Sequence, residues 1–367
     1  MDLKKALYGL DLEEAGEIVK EMGEPAYRAR QILGWLYRKH AGAWQEIKNL
    51  PKALLGKLQA GFLLKTLTFK ESVPSSHGQS VKFLFETPDG HLLESVLIRQ
   101  GGRETVCVST QLGCKMKCTF CASGKSFARN LTAGEVVEQV AWIERSLRAK
   151  RSNLEASRLL CRSAPRNDAK RLISNIVFMG MGEPLDNFEA VMKALRILQA
   201  EWGFGLGPRR ITLSTVGVIP KIEEFVERME GRVRLSVSLH TSDGAKRNEL
   251  VPVNRRHSLK ELVKTLQKIH TRLKREITFE YTLLQGVNDS LEEAKGVVKI
   301  AKPLGAKVNL IPYNPIREAE FKRPSKERIE AFRNYLHKAG VRVTVRQTAG
   351  RDIDAACGQL QLDRSQN

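Results

Sequence analysis

The stretch "CVSTQLGCKMKCTFCASG", residues 107–124, holds four of the six cysteines in this 367-residue chain. Three of them, Cys114, Cys118 and Cys121, are spaced C-x3-C-x2-C, and Cys107 stands upstream of the three. Six cysteines in so long a chain do not make the framework of a small secreted disulfide protein. Thiols crowded this closely point to metal or redox chemistry. Three thiolates can hold three irons of a [4Fe–4S] cluster, leaving the fourth iron open to a small molecule. A zinc ribbon would pair one C-x2-4-C with a distant second pair, and the sequence has none. A four-thiolate zinc site using Cys107 is the alternative.

The surroundings of the motif set the fold class. From about residue 104, short apolar strands alternate with helical stretches: "TVCVST", "SNIVFMG", "RRITLST", "VRLSVSLH", "ITFEYTLL" and "KVNLIPY". The first long helical stretch, "LTAGEVVEQVAWIERSL", opens with Thr132 and Glu135 at capping-box spacing. Six β/α repeats predict an α/β fold, a parallel sheet with helices outside, curved into a partial (β/α)6 barrel. Active groups in such barrels gather at the C-terminal ends of the strands. The three clustered cysteines follow the first strand and fall at that mouth. A final strand, "VRVTVRQ", leads into a tail, residues 348–367, that carries Cys357.

Upstream, residues 1–62 read as a small basic helical domain. In "EPAYRARQILGWLYRKH" the residues Ala29, Ile32, Leu33, Leu36 and Tyr37 form one stripe, ringed by Arg28, Arg30, Arg38 and Lys39. Such a module can grip a phosphate backbone, or be a plain bundle with a wet cationic face. Residues 63–103 read as a β-hairpin extension, "VKFLFET" and "HLLESVLI" about a "PDG" turn. The core barrel then spans 104–347. Within it, residues 145–171 carry nine Lys/Arg against two acids and read as a peripheral insertion, either a loop or a frayed helix extension. Cys161 in that segment has no partner at ligand spacing.

The formal net charge is +20, which suits a polyanionic partner, RNA or DNA first. A solvated basic surface or an acidic protein partner is the alternative. No apolar run reaches the roughly 18 residues of a membrane helix. The start, "MDLKKALYGLDLEE", is charged where a signal peptide would be apolar. A cytoplasmic protein without membrane contact is expected.

C-x3-C-x2-C after the first strand of a β/α barrel, with Phe120 before the last cysteine, resembles the radical SAM enzymes. The strand-end segments then follow in order: "NIVFMGMGEP", "LSTVGVIP", "VSLHTSDGAKRNELVPVN", "LLQGVNDS", "NLIPYNP" and "DIDAACGQL". Together with "CVSTQLGC" this set resembles the RlmN-type adenine C2 methyltransferases over nearly the whole chain. The Cfr-type C8 methyltransferases are close relatives of that family, and Pro184 after "GMGE" is the more RlmN-like choice. Two departures stand out: the longer basic segment at 145–171, and "CASGKSFARNL", one residue shorter than the common pattern.

The resemblance implies a [4Fe–4S] cluster on Cys114, Cys118 and Cys121, and two S-adenosylmethionine molecules per turnover. Cys357 would be methylated by the first. The second would be cleaved to a 5′-deoxyadenosyl radical that takes hydrogen from the S-methyl group. The carbon radical would add to adenine, and Cys107 would resolve the covalent link through a transient disulfide with Cys357. Glu94 would accept the ring proton; its alternative is an outward strand carboxylate. Gly182, Glu183, Ser214, Ser238, Leu239, His240 and Asn314 would bind S-adenosylmethionine. The implied substrates are an adenosine of 23S rRNA and one beside the anticodon of tRNA. A flavodoxin-like protein is the expected electron donor and a monomer the expected state. A Cfr-type C8 methyltransferase and a zinc-stabilised, non-catalytic RNA-binding protein are the competing readings.

Overall fold

The computed structural model describes residues 4–157, 172–347 and 349–361; Cys161 lies outside them. The chain begins with β1 (Lys5–Ala6), α1 (Leu12–Glu21), α2 (Tyr27–Tyr37), α3 (Lys52–Gly61) and β2 (Phe62–Leu63), which pairs parallel with β1. An antiparallel meander follows: β3 (Thr68–Pro74), β4 (Ser80–Glu86), β5 (Leu92–Gln100) and β6 (Arg103–Val108). β7 (Gln111–Gly113) and β8 (Phe127–Asn130) form a hairpin that brackets the clustered cysteines. The repeats continue with α4 (Ala133–Ser157), β9 (Asn175–Phe178), α5 (Phe188–Gln199), β10 (Ile211–Thr215), α6 (Ile219–Arg228) and β11 (Arg234–Ser238). After these come α7 (Gly244–Leu250), α8 (Leu259–Ile269), β12 (Thr278–Leu283), α9 (Leu291–Ala301), β13 (Lys307–Pro312), α10 (Lys326–Lys338) and β14 (Val343–Val345).

One ten-stranded sheet runs β14-β13-β12-β11-β10-β9-β6-β5-β4-β3. Every pairing from β6 to β14 is parallel. Parallel strands covered on both faces need apolar residues throughout, and Val106, Ile176, Leu213, Val237, Phe279 and Val308 are all buried. The open order, with edges at β3 and β14, makes the barrel partial, as the six repeats predict. The expected hairpin proves to be three strands, because β3 joins β4 and β5, and it continues the barrel sheet through β6. The capping box forms: Glu135 N donates to Thr132 Oγ1, and Thr132 N donates back to Glu135 Oε2.

The stripe on α2 is buried at all five expected positions. It faces the barrel, with the Tyr37 ring against Trp202 and Phe204. The Glu138 carboxylate of α4 accepts from Thr66 N, Thr66 Oγ1 and Leu67 N, so it fastens the link between the two regions. At the tightest approach only glycine fits: a Cβ on Gly134 would meet the Tyr8 carbonyl oxygen at 2.4 Å.

Of the two readings of the basic segment, loop or helix extension, its described residues take the second. It begins inside a packed helix, since α4 continues to Ser157. Arg145 makes a two-pronged contact with Glu46 and donates to the His40 carbonyl, so it holds the N-terminal helices in place. Further on, Glu144 accepts from Leu172 N and Ile173 N. The chain ahead of β9 is thus fastened to the middle of α4. Among the described residues, no helix is long and apolar enough to cross a membrane.

Residues 349–361 cross the mouth from the β14 side back to β4 and β5. Asp352 Oδ2 accepts from Ser76 N at 2.6 Å and Gln361 N donates to Glu94 Oε2 at 3.0 Å. This strap carries Cys357 over the strand ends.

Candidate active site

The loop between β7 and β8 is held by backbone geometry. Gly113 has φ +78°, and a Cβ there would sit 2.0 Å from the Ser126 carbonyl oxygen. Cys114 N donates to that same oxygen, and Thr119 N to the Leu250 carbonyl. The strap closes on the loop from the other side: Ala122 N donates to Gly358 O at 2.7 Å and Ser123 Oγ to Leu360 O at 2.6 Å. Cys118 lies in an apolar cluster with Phe120, Leu250, Val251 and Leu284.

Burial pushes the thiols of Cys114, Cys118 and Cys121 up, and the neighbouring thiols add to the effect. Ionised together, these thiols would repel one another, and a bound cation would offset that repulsion. Among the described residues, no three His, Cys, Asp or Glu side chains converge on a point that could hold one metal ion.

Next to the loop lies a cavity lined by Glu183, Gly182, Ser214, Ser238, His240 and Glu280, together with the three cysteines. Gly182 has φ +100°, and a Cβ there would meet Gln111 N at 2.8 Å. That close approach turns the chain so that Glu183 points inward. Its Oε2 accepts from Val216 N at 2.8 Å and its Oε1 from Leu185 N at 3.1 Å, while burial pushes the carboxyl up to about 7. His240 sits at φ +60°, an uncommon conformation for a residue with a Cβ. Its Nδ1 accepts from Thr282 N at 3.0 Å, so the proton of the neutral ring is on Nε2. Burial, helped by the Arg247 charge, lowers its pKa to about 3. The ring meets Phe120 edge-on at 4.7 Å.

A second cavity adjoins the first and shares Cys121, Gly180, Arg346 and Cys357 with it. Cys107 lines this second cavity beside its cross-strand neighbour Val96. Burial pushes the Cys107 thiol up to about 12. Cys357 receives a hydrogen bond from Arg346 Nη1 at 3.0 Å. Asn314 lies here, donating to the Cys357 carbonyl at 3.2 Å, and its Oδ1 is buried without a hydrogen-bond partner among the described residues. Both cysteines are free thiols.

With the two cavities drawn, the comparisons with known proteins decide the family. The model of the Radical SAM superfamily matches residues 108–296, and that of the ribosomal RNA large subunit methyltransferase N-terminal domain matches residues 5–63. A probable dual-specificity RNA methyltransferase RlmN from Clostridium botulinum is 41% identical over 97% of this chain and 96% of its own. The dual-specificity RNA methyltransferase RlmN of a Sulfurovum species is 40% identical over the same shares. The crystal structure of a radical SAM methyltransferase from Sphaerobacter thermophilus superposes with a TM-score of 0.88 at 42% identity, covering 98% of this chain and 100% of that one. This chain belongs to the RlmN family of radical SAM methyltransferases. Membership of the superfamily implies a [4Fe–4S] cluster and S-adenosylmethionine, and three cysteines beside a cavity that Glu183, Ser214, Ser238 and His240 also line fit both.

Against the expected RlmN-type site, Gly182, Glu183, Ser214, Ser238 and His240 meet in one cavity. Leu239 lies behind it: the side chain is in the core, its N–H donates to Glu280 O and its carbonyl accepts from Arg247. Asn314 lines the neighbouring cavity instead. Glu94 is not an outward strand carboxylate, being 1% exposed. It lies beneath the strap, with Lys82 Nζ 3.3 Å from Oε1, and burial pushes its carboxyl up to about 8.

Three further residues were not singled out from the sequence. Arg247 is fully buried and donates to the carbonyls of Val216, Ser238 and Leu239 and to Asn254 Oδ1. It locks together the chain segments after β10 and β11. Glu280 lines the first cavity, held by Ser236 Oγ and Asn309 Nδ2. Arg346 stands where both cavities meet Cys357. The signal for Glu280 was a lone carboxylate inside the apolar run "ITFEYTLL"; for Arg346 it was a cation just past a barrel strand.

Proposed function

We propose that this enzyme methylates C2 of an adenosine in 23S rRNA and of an adenosine in tRNA. The observation that carries the reading is the pair of non-ligand thiols, Cys107 and Cys357, lining one cavity beside the cysteine triad. Adenine C2 has no nucleophilic lone pair, so direct methyl transfer cannot reach it; a thiol that first accepts the methyl group offers a way round. The names of the RlmN relatives, dual-specificity RNA methyltransferases, support more than one RNA substrate.

Cys114, Cys118 and Cys121 would hold the [4Fe–4S] cluster, which when bound supplies the electron that cleaves S-adenosylmethionine to a 5′-deoxyadenosyl radical. Glu183 offers a carboxylate to the ligand's ammonium group. Ser214, Ser238 and Asn314 offer hydroxyl and amide groups to its ribose and carboxylate. His240, neutral, donates from Nε2. Cys357 accepts the methyl group from a first S-adenosylmethionine, with its sulfur held by Arg346. A second molecule is consumed when the S-methyl group loses hydrogen and bonds to adenine. Glu94, whose carboxyl burial raises to about 8, takes the ring proton in its ionised form once the strap lifts Gln361 from it. The unpaired electron left on the adduct returns to the redox group that supplied it. Cys107 then attacks the Cys357 sulfur, the sulfur–carbon bond breaks, the freed carbon takes up the Cys107 thiol proton to become the methyl group, and a Cys107–Cys357 disulfide remains for a reductant to open.

Arg30 and Arg38 on the N-terminal helices are exposed and available to RNA phosphates, whereas Arg28 is turned to Glu24 and Gln31. An rRNA substrate assigns the reaction to the cytosol. A one-electron donor of the flavodoxin class and a monomeric enzyme complete the reading. The test is mass spectrometry of nucleosides from rRNA and tRNA after reaction with the anaerobically reconstituted enzyme. 2-Methyladenosine in both is expected; 8-methyladenosine or no methylated base overturns the assignment.

A further inference from the structure

We propose that Arg323 and Arg351 form a phosphate site for the RNA substrate, in a groove that opens beside the cavity of Cys107 and Cys357. The proposal rests on the RNA-modifying reading above. The groove is open to solvent and walled by Ser76, His77, Arg323, Ala349, Arg351 and Asp352. Ala349 also lines the cavity of the two thiols, so groove and cavity adjoin at this residue of the strap.

The groove gathers positive charge that the protein leaves unbalanced. Neither guanidinium has an acidic partner among the described residues; Arg323 makes one long hydrogen bond, from Nη1 to the Tyr313 carbonyl at 3.4 Å. The two cations lie close enough that Arg351, together with burial, makes the Arg323 charge costlier. The one acid among the groove's lining residues is outnumbered by the two guanidiniums: Asp352 stays ionised, its Oδ2 accepting from Ser76 N at 2.6 Å. Gly350 has φ +78° and a Cβ there would meet Ser80 Oγ at 2.6 Å. The strap therefore lies hard against β4 at this point, and Arg351 projects from an anchored turn.

A phosphodiester answers each of these features. It carries the missing negative charge, and its two non-bridging oxygens can each take a guanidinium hydrogen-bond pair. A backbone phosphate seated here belongs to a nucleotide neighbouring the one whose base enters the thiol cavity. The site would position the strand, while the cavity selects the base.

The test uses the full-length holoenzyme and a short RNA hairpin carrying the target adenosine, with binding followed by fluorescence anisotropy across a salt series. A set of hairpins carries one uncharged methylphosphonate linkage each, at successive positions around the target. The Arg323→Gln/Arg351→Gln variant is expected to bind the unmodified hairpin about tenfold more weakly, and its log–log salt slope to fall by about 1 for each phosphate no longer engaged. At one linkage, neutralisation should weaken the wild type and leave the variant unaffected. Arg351→Gln alone, at an exposed position, should show part of the same effect at an unchanged melting temperature. Wild-type affinity and slope in the variants would overturn the proposal. So would equal losses in wild type and variant at every linkage, which would mean diffuse polyanion attraction only. If the wild type binds no RNA at all, the RNA reading itself fails instead.

Discussion

Arg346 donates from Nη1 to the sulfur of Cys357 at 3.0 Å, joining the end of the last barrel strand to the strap that crosses the mouth. The same guanidinium is drawn by Glu280 and Cys107 as well as Cys357. It therefore faces both thiols of the proposed reaction. Replacing it with alanine is expected to slow S-methylation of Cys357 at least tenfold, about 1.4 kcal/mol in barrier. Arg346→Lys should recover part of the rate, since a point cation keeps the charge and loses the fork. The readout is the mass of the Cys357 peptide after incubation with S-adenosylmethionine. Wild-type rates in both variants would remove Arg346 from the mechanism.

The two cavity thiols should fail at different stages. Cys357→Ala is expected to carry no S-methyl group and to form no RNA conjugate. Cys107→Ala should still be methylated and still bond to adenine, then accumulate as a ribonuclease-sensitive conjugate on a denaturing gel. Normal turnover by Cys107→Ala, or a conjugate that survives loss of Cys357, contradicts the division of labour.

Single alanine replacements of Cys114, Cys118 and Cys121 should each abolish iron loading and reductive cleavage of S-adenosylmethionine. Iron and sulfide analysis of anaerobically reconstituted protein is the measure. A triple variant that still binds four irons would sink the ligand assignment.

Glu138 should take stability away as pH rises from 5 to 8, in the opposite direction to buried His240, whose lowered pKa adds stability up to about pH 6.5. Burial raises the carboxyl of Glu138 to about 7 from its ordinary value. The folded chain therefore holds a proton that the unfolded chain has lost above about 4.5, and the stabilisation present at low pH is lost as pH climbs towards 7. The effect from this one group is on the order of 3 kcal/mol. Urea midpoints at pH 5 and pH 8 should differ, and Glu138→Gln should narrow the difference. Equal narrowing in a variant of an exposed glutamate such as Glu292 would show that Glu138 is not the source.

Much of the fold was legible in the sequence because it is written at short range. The parallel strands are local apolar runs, the Thr132–Glu135 cap spans a single turn, and the α2 stripe follows helical period. The C-x3-C-x2-C spacing is likewise local, and so is the resemblance to the RlmN-type enzymes built on strand-end segments. What the sequence determined by itself was therefore the element types and the family. The tertiary structure decided which distant residues share a cavity. Cys107 and Cys357 lie on a strand and on a strap far apart in the chain, and nothing local sets their meeting. Arg346, Glu280 and Arg247 carry no spacing signal, because their roles come from burial and from partners on other strands. Leu239 could be told from His240 only in three dimensions, where one side chain enters the core and the other turns, through a positive φ, into the cavity. The physical reason is the same throughout: periodicity and capping act within a few residues, whereas desolvation and charge pairing depend on which surfaces the folded sheet brings together.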